Sequence, residues 1–245
     1  MDDQQQFERQ KSQAIQAMAE DAEMDRLSHE WFKKSCDHNY SYNFTWLGLP
    51  IIQYPQDILA MQEIIWQVRP QRVVETGIAR GGSLVFYASL LKLLGEEGLV
   101  VGIDLDIRKH NRQRLENHPL MPGIRLIEGS SIDEGIFAQV QDQCDGAAPV
   151  VVVLDSNHTH DHVLAELRLY STLVGKGSHL VVFDTVVEDL PADYFPERPW
   201  GHGNNPKTAV QAFLAENDRF EIDREIQNKL QLTVAPDGFL KCIKD

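Results

Sequence analysis

Apolar and polar positions set two rhythms along this chain. Across 55–68, Ile58, Met61, Ile64, Ile65 and Val68 recur at three- and four-residue spacing, which predicts a helix with one core-facing stripe. A short apolar run at 72–75 predicts a strand, and the same alternation of strand and helix continues downstream. Strands are expected at 72–75, 99–103, 124–127, 150–154 and 178–183, with helices at 81–94, 107–117, 133–143, 161–173 and 206–216. The unbroken run VVVVL at 150–154 has the pattern of a central parallel strand covered on both faces. Two closing strands are expected at 220–226 and 230–243, the latter around the turn residues Pro236, Asp237 and Gly238. Upstream, 1–47 is polar and helical in pattern, with Phe7, Ile15, Met18, Leu27, Trp31 and Phe32 at loose helical spacing. The WLGLP segment at 46–50 is turn-like and marks entry to the main domain.

Strands separated by helices imply right-handed crossovers and a doubly wound sheet. The expected architecture is therefore α/β: a Rossmann-like, mostly parallel, seven-stranded sheet over 48–245, preceded by a helical extension over 1–47. Such a sheet binds its ligand beyond the carboxyl ends of its strands, so the residues just after each strand are the candidates for chemistry.

Charge and cysteine content narrow the classes of partner. The 37 Asp and Glu outweigh the 23 Lys and Arg, for a formal net charge of -14. That balance repels phosphate backbones, and no basic cluster offsets it, so a nucleic-acid partner is not expected. Cys36, Cys144 and Cys242 are scattered and odd in number, which argues against a disulfide framework or zinc cluster and for a reducing, cytoplasmic setting. The first 25 residues lack the apolar core of a signal peptide, and no stretch reaches the roughly 18 apolar residues that would cross a bilayer.

The ends of the first three strands carry a consistent signal. After the first comes Glu75-Thr76-Gly77-Ile78-Ala79-Arg80-Gly81-Gly82-Ser83. Its glycines allow a tight turn and close backbone approach, and the helix starting near Gly82 and Ser83 offers free N–H groups. The spacing E-x-G-x-x-x-G-G-S departs from the G-x-G-x-x-G of dinucleotide sites, which disfavours a nicotinamide oxidoreductase. No His here is followed at the second position by Asp or Glu, as the iron ligand pair of a non-haem oxygenase would be. Asp104 ends the second strand, where a carboxylate accepts hydrogen bonds from ribose hydroxyls. Ser130 and Ser131 follow the third strand and could border an adenine edge. Together these positions point to an adenosine-bearing ligand.

The fourth and fifth strand ends carry the candidates for reaction chemistry. Asp155 and Asp184 follow adjacent parallel strands, which lie about 4.8 Å apart, so they could share a hard divalent ion such as Mg²⁺. His158, with an ordinary pKa of about 6.5, could take a hydroxyl proton as general base. His160 and His162 are read as decoration of a helix start, with Thr159 or Asp161 as its cap. The 186–205 loop is long for a compact domain. Tyr194, Phe195 and Trp200 in it could cover a substrate, or the loop could form an oligomer contact.

These residues resemble the cephalosporin hydroxylase family and the related sugar and macrolide O-methyltransferases. The resemblance spans about 46–245. It is carried by W-x-G-x-P-I-x-Q-Y-P-x-D at 46–57, the R-P-x-x-V-V-E-T-G stretch with G-G-S after it, and G-S-S at 129–131. L-D-S-x-H-T at 154–159, V-V-x-D-T at 181–185 and G-x-N-P-x-x-A-V at 203–210 complete the set. It implies a class I methyltransferase that uses S-adenosylmethionine, with Glu75 supporting the methionine amino end and the glycines passing under the ligand. It also implies a small-molecule acceptor, His158 as base, and Mg²⁺ on Asp155 and Asp184. In the family an acidic pair follows the fifth strand; here Phe183 stands where a Glu is common, and losing one carboxylate should weaken a hard-cation site. Glu188 and Asp189 are nearby substitutes. A non-catalytic S-adenosylmethionine-binding protein is the alternative reading, and self-association through the N-terminal helices is expected.

Overall fold

The computed structural model describes residues 2–95 and 97–245; Met1 of the expected extension lies outside the described residues. Helices α1 (Asp3–Glu20) and α2 (Ala22–Cys36) open the chain. Asp2 caps α1 in a reciprocal box with Gln5, and Asp21 caps α2 by accepting from the Glu23 and Met24 N–H groups. A short 3-10 turn leads to a hairpin of β1 (Phe44–Trp46) and β2 (Leu49–Ile51), whose turn is Leu47-Gly48. The segment before residue 48 is therefore helical only through Cys36 and its adjoining turn; the stretch read as a turn at 46–50 is the tip of this hairpin.

The main domain alternates as the apolar rhythm predicts. In order come α3 (Pro55–Val68), β3 (Arg72–Thr76), α4 (Gly82–Leu93), β4 (Leu99–Asp104) and α5 (Lys109–Glu116). Then follow β5 (Ile124–Glu128), α6 (Glu134–Cys144), β6 (Val150–Leu154), α7 (His160–Tyr170) and β7 (His179–Val182). The chain closes with α8 (Pro206–Glu216), β8 (Phe220–Ile222), α9 (Arg224–Leu230) and β9 (Phe239–Cys242). The seven-stranded sheet has the order β5-β4-β3-β6-β7-β9-β8, parallel except at β9.

Both expectations at the closing end are corrected: the 220–226 stretch is strand only over Phe220–Ile222, because α9 begins at Arg224, and of 230–243 only Phe239–Cys242 joins the sheet. Asp223 caps α9 by accepting the Ile226 N–H, and Ile226 and Leu230 fall one helical turn apart on the face turned to the core.

The strands divide their side chains between two cores. Val73, Val100, Val151, Val153 and Val181 pack against α3, α4 and Leu115 of α5. Val74, Val101, Val152, Leu154, Leu180 and Val182 pack against α6, α7 and α8. This two-fold alternation explains why β6 is apolar throughout. A third cluster of Phe32, Tyr54, Val186 and Leu190 joins α2 to the main domain. Ser35 Oγ and the Tyr54 hydroxyl share a 2.6 Å hydrogen bond there.

Strand order reverses between β3 and β6, so their following loops diverge and leave a crevice at the carboxyl edge. Buried carboxyls support this edge from below. Asp57 of α3 accepts from the Thr233 hydroxyl and, at 3.0 Å, from the Val234 N–H, while the Val234 carbonyl accepts from Val186 N–H. Burial pushes the Asp57 carboxyl from 3.8 up to about 7, against the pull of those two donors. Burial likewise pushes Glu75 from 4.5 up to about 8.

A carboxyl held above its unfolded value keeps its proton in the folded state after the unfolded chain has lost it. Its contribution is fully present below the unfolded pKa, near 4, and disappears as pH rises through 7 for Asp57 and 8 for Glu75. At about 1.4 kcal/mol per unit, the loss amounts to a few kcal/mol for each of the two carboxyls. Thermal melts should therefore fall from about pH 5 to about pH 8.5, with Asp57→Asn flattening the lower part of that decline. Melting temperatures that rise across this window would contradict the assignment.

Candidate active site

The crevice is built from the loops after β3, β4, β6 and β7. Gly77 crosses directly over the start of the β6 loop. Its φ is +84°, and a Cβ there would lie 2.6 Å from Ser156 Cα and collide with the Asp155 carbonyl. Gly82 meets the Pro50 carbonyl with the same intolerance, and Gly81, at φ +82°, faces the Leu115 side chain. These glycines are thus required by neighbouring protein as well as by any ligand. Gly77 N–H donates to the Ile103 carbonyl at 2.7 Å, and Asp155 N–H to Thr76 at 2.9 Å, extending the ladder to the edge of the crevice.

Asp104 ends β4 and reaches back beneath the glycine loop. Its Oδ2 accepts the Ile78 and Ala79 N–H groups at 3.0 and 3.3 Å, and its Oδ1 accepts that of Asp106. One carboxylate therefore shapes the loop and also lines the crevice. Glu75 is fully buried under the loop, where Ser83 Oγ donates to Oε2 at 2.6 Å and Oε1 has no partner among the described residues. Thr76 is equally buried, its hydroxyl unpartnered among the described residues.

Three side chains converge at the β6 and β7 ends. One ligand atom each from Asp155, His158 and Asp184 lies within 4.8 Å of the others. His158 Nε2 stands 3.3 Å from Asp184 Oδ2, and the Trp200 ring packs edge-on against the imidazole at a centroid distance of 4.8 Å. Burial, and then the charges of Asp184, Glu75 and Glu166, hold the Asp155 carboxyl well above the usual carboxylate range. Such mutual repulsion is relieved by a shared proton or by a divalent cation, and the paired carboxylate oxygens of Asp155 and Asp184 fit the latter, with the His158 imidazole beside them.

These groups line a single cavity. Gly77, Asp104, Asp155, His158 and Asp184 border about 310 Å³, together with Gln53 and Phe183. A smaller recess of about 20 Å³ adjoins it between Gln53, Asp155 and the start of α4.

The residue patterns have counterparts in known proteins. The family model for rhamnosyl O-methyltransferase/CmcI matches residues 38–243. The chain belongs to that family. A rhamnosyl O-methyltransferase of Mycobacterium tuberculosis (strain H37Rv) is 32% identical over 200 residues, 80% of this chain and 77% of the relative. The Mycobacterium leprae (strain TN) rhamnosyl O-methyltransferase is 28% identical over 215 residues, 86% and 87% of the two chains. Among solved structures, CmcI with magnesium and S-adenosylmethionine aligns with a TM-score of 0.59 at 22% identity, over 82% of this chain and 77% of that one. The O-methyltransferase TomG from Streptomyces achromogenes, in complex with S-adenosylmethionine, aligns with a TM-score of 0.53 at 20% identity, over 78% and 80%. At these identities the structural likeness establishes the shared class I fold.

Against this family background, several expected site residues take other positions. Ser131 is buried and turned to His162, with Oγ 3.1 Å from Nε2, and its carbonyl accepts the Tyr170 hydroxyl. Neither Ser130 nor Ser131 lines the cavity described above. His160 and His162 stand in the first turn of α7, where His160 Nδ1 meets Thr208 Oγ1 at 2.8 Å and His162 joins Ser156 and Glu166. Thr159 occupies the cap position of α7, but its hydroxyl donates to Asn157.

Glu188 and Asp189 do not replace the carboxylate missing at Phe183. Glu188 accepts from Gly203 N–H and the Asn205 amide, and Asp189 pairs with Lys207 at 2.8 Å. Phe183 itself is buried in the core that includes Val181. In the 186–205 loop, Tyr194 and Phe195 pack on the Phe32 cluster, whereas Trp200 packs against His158.

Sequence reasoning missed Ser41, Tyr42 and Gln53, which complete the cavity wall from outside the sheet. Gln53 lies inside the quoted W-x-G-x-P-I-x-Q-Y-P-x-D motif, so its signal was present, but nothing local ties position 53 to strand ends 100 residues away.

Among the described residues, no helix is long and apolar enough to cross a membrane.

Proposed function

We propose that this chain transfers the methyl group of S-adenosylmethionine to a hydroxyl of a small acceptor. The observation that carries the reading is the shared cavity: Gly77, Asp104, Asp155, His158 and Asp184, from four strand ends, all border one 310 Å³ space at the switch point. The sugar-directed names of the mycobacterial relatives favour a glycosyl hydroxyl as acceptor.

The cavity suits the nucleoside. Asp104 sits where ribose hydroxyls are received in this class of sheet, and the first turn of α4 presents N–H groups toward a carboxylate. When bound, S-adenosylmethionine supplies a methyl group already activated by its sulfonium. What remains for the protein is to orient the acceptor oxygen in line, exclude water and remove the hydroxyl proton.

The His158 imidazole is the group for that proton: the Asp184 carboxylate, 3.3 Å from its Nε2, would stabilise the imidazolium so formed, and the Trp200 edge packs against the ring. Asp155 and Asp184 would hold a divalent cation, magnesium fitting their oxygens; bound there, it would lower the acceptor hydroxyl's pKa. Trp200 is placed to shield this corner from solvent.

The catalytic unit is assigned to 48–245. The 1–47 segment contributes Ser41 and Tyr42 to the cavity wall. The three cysteines are unpaired, in keeping with a cytoplasmic setting, and self-association through α1 and α2 is the expected assembly.

Calorimetric titration with S-adenosylhomocysteine tests the reading directly. Binding in the micromolar range is expected, and no heat up to about 1 mM would remove it.

A further inference from the structure

Gln53 stands where the main cavity and the small recess meet, and it is 6% exposed. Its Nε2 donates to Asp155 Oδ2 at 3.4 Å. The opposite atom, Oε1, is buried and has no partner among the described residues. A buried amide oxygen left unpaired is costly, so its complement is a donor from a ligand.

The recess beside Gln53 is small. Its volume is about 20 Å³, room for one water-sized group. Ser83 and Gly82, at the start of α4, form another part of its wall, and free N–H groups of a helix start attract a carboxylate. Donors for a carboxylate beside an acceptor for a small cationic group match the two polar groups of an α-amino acid. An ammonium is water-sized and brings three N–H donors.

We propose that Gln53 Oε1 accepts a hydrogen bond from the α-ammonium of the methionine moiety of S-adenosylmethionine, making Gln53 a binding residue that selects the amino-acid end of the nucleoside. This rests on the S-adenosylmethionine reading above. Glu75 then acts from beneath the loop through Ser83, while Gln53 meets the ligand from the opposite wall.

The test compares S-adenosylhomocysteine with its deamino analogue, which keeps the carboxylate and lacks the ammonium. Both are titrated calorimetrically into the wild type, Gln53→Met and Gln53→Glu, with thermal melts alongside. The wild type should prefer the amino form by about tenfold or more. Gln53→Met should lose about tenfold on S-adenosylhomocysteine and less than about twofold on the deamino analogue. Gln53→Glu keeps an acceptor oxygen and should retain the preference. Equal losses with both ligands, no loss with either, or a wild type that does not distinguish them overturns the assignment. A wild type that binds neither ligand instead overturns the S-adenosylmethionine reading.

Discussion

His158→Ala is expected to lower kcat by about 10²–10⁴-fold near neutral pH while changing S-adenosylhomocysteine affinity by less than about twofold. The size follows from the role. The imidazole is the one nitrogen base of the Asp155–His158–Asp184 group, with Asp184 Oδ2 3.3 Å from its Nε2 and the Trp200 ring packed edge-on against it. Removing it leaves proton removal to solvent, which near neutral pH is a much weaker base than imidazole. Rate lost at neutral pH should partly return as pH rises, because hydroxide can then take the proton. If His158 served only to support the backbone, loss of turnover would come with loss of cofactor affinity and a lower melting temperature. An unchanged kcat would exclude it as the base.

The largest effect on folding is expected at Gly77. Gly77→Ala adds a Cβ that collides with the Asp155 carbonyl and lies 2.6 Å from Ser156 Cα. The backbone there cannot move freely, since Gly77 N–H and Asp155 N–H both extend the sheet ladder. The residue is also held at φ +84°, which alone costs a side-chain-bearing residue about 1–2 kcal/mol. Gly48 supplies the control. Its φ is +90°, yet nothing lies within 4 Å of the corresponding Cβ position. Gly48→Ala should therefore cost only the conformational penalty of about 1–2 kcal/mol, whereas Gly77→Ala should exceed about 4 kcal/mol in urea unfolding or fail to fold. Similar losses at the two positions would show that backbone conformation, not the crossing of two loops, explains the glycine.

These effects also show which parts of the molecule were readable beforehand. Helix α8 begins where the letters say, because Asn205 supplies the cap and Pro206 fits the first helical position. Strand β6 was evident because both its faces are covered, leaving no polar position in the run. The first turn of α9, at 224–226, falls within an expected strand. Its cue was local but faint: Asp223 as a cap, followed by Ile226 and Leu230 at helical spacing within only seven residues. In the 186–205 loop, three aromatic residues look alike in sequence, yet two stabilise the contact with α2 and one reaches His158. Aromatic character specifies that a ring will seek cover and is silent about which surface provides it.

By itself, the order of residues determined the alternation of elements, the sheet class and the strand ends at which Asp104, Asp155, His158 and Asp184 stand, because burial periodicity and position after a strand are local properties. Tertiary structure alone decided that Gly77 must pass over Asp155, that Glu188 and Asp189 are engaged elsewhere, and that Gln53, 102 residues from Asp155, donates to its carboxylate. Those facts depend on which loops are brought side by side when the strand order reverses between β3 and β6, and no spacing along the chain encodes a distance across that crevice.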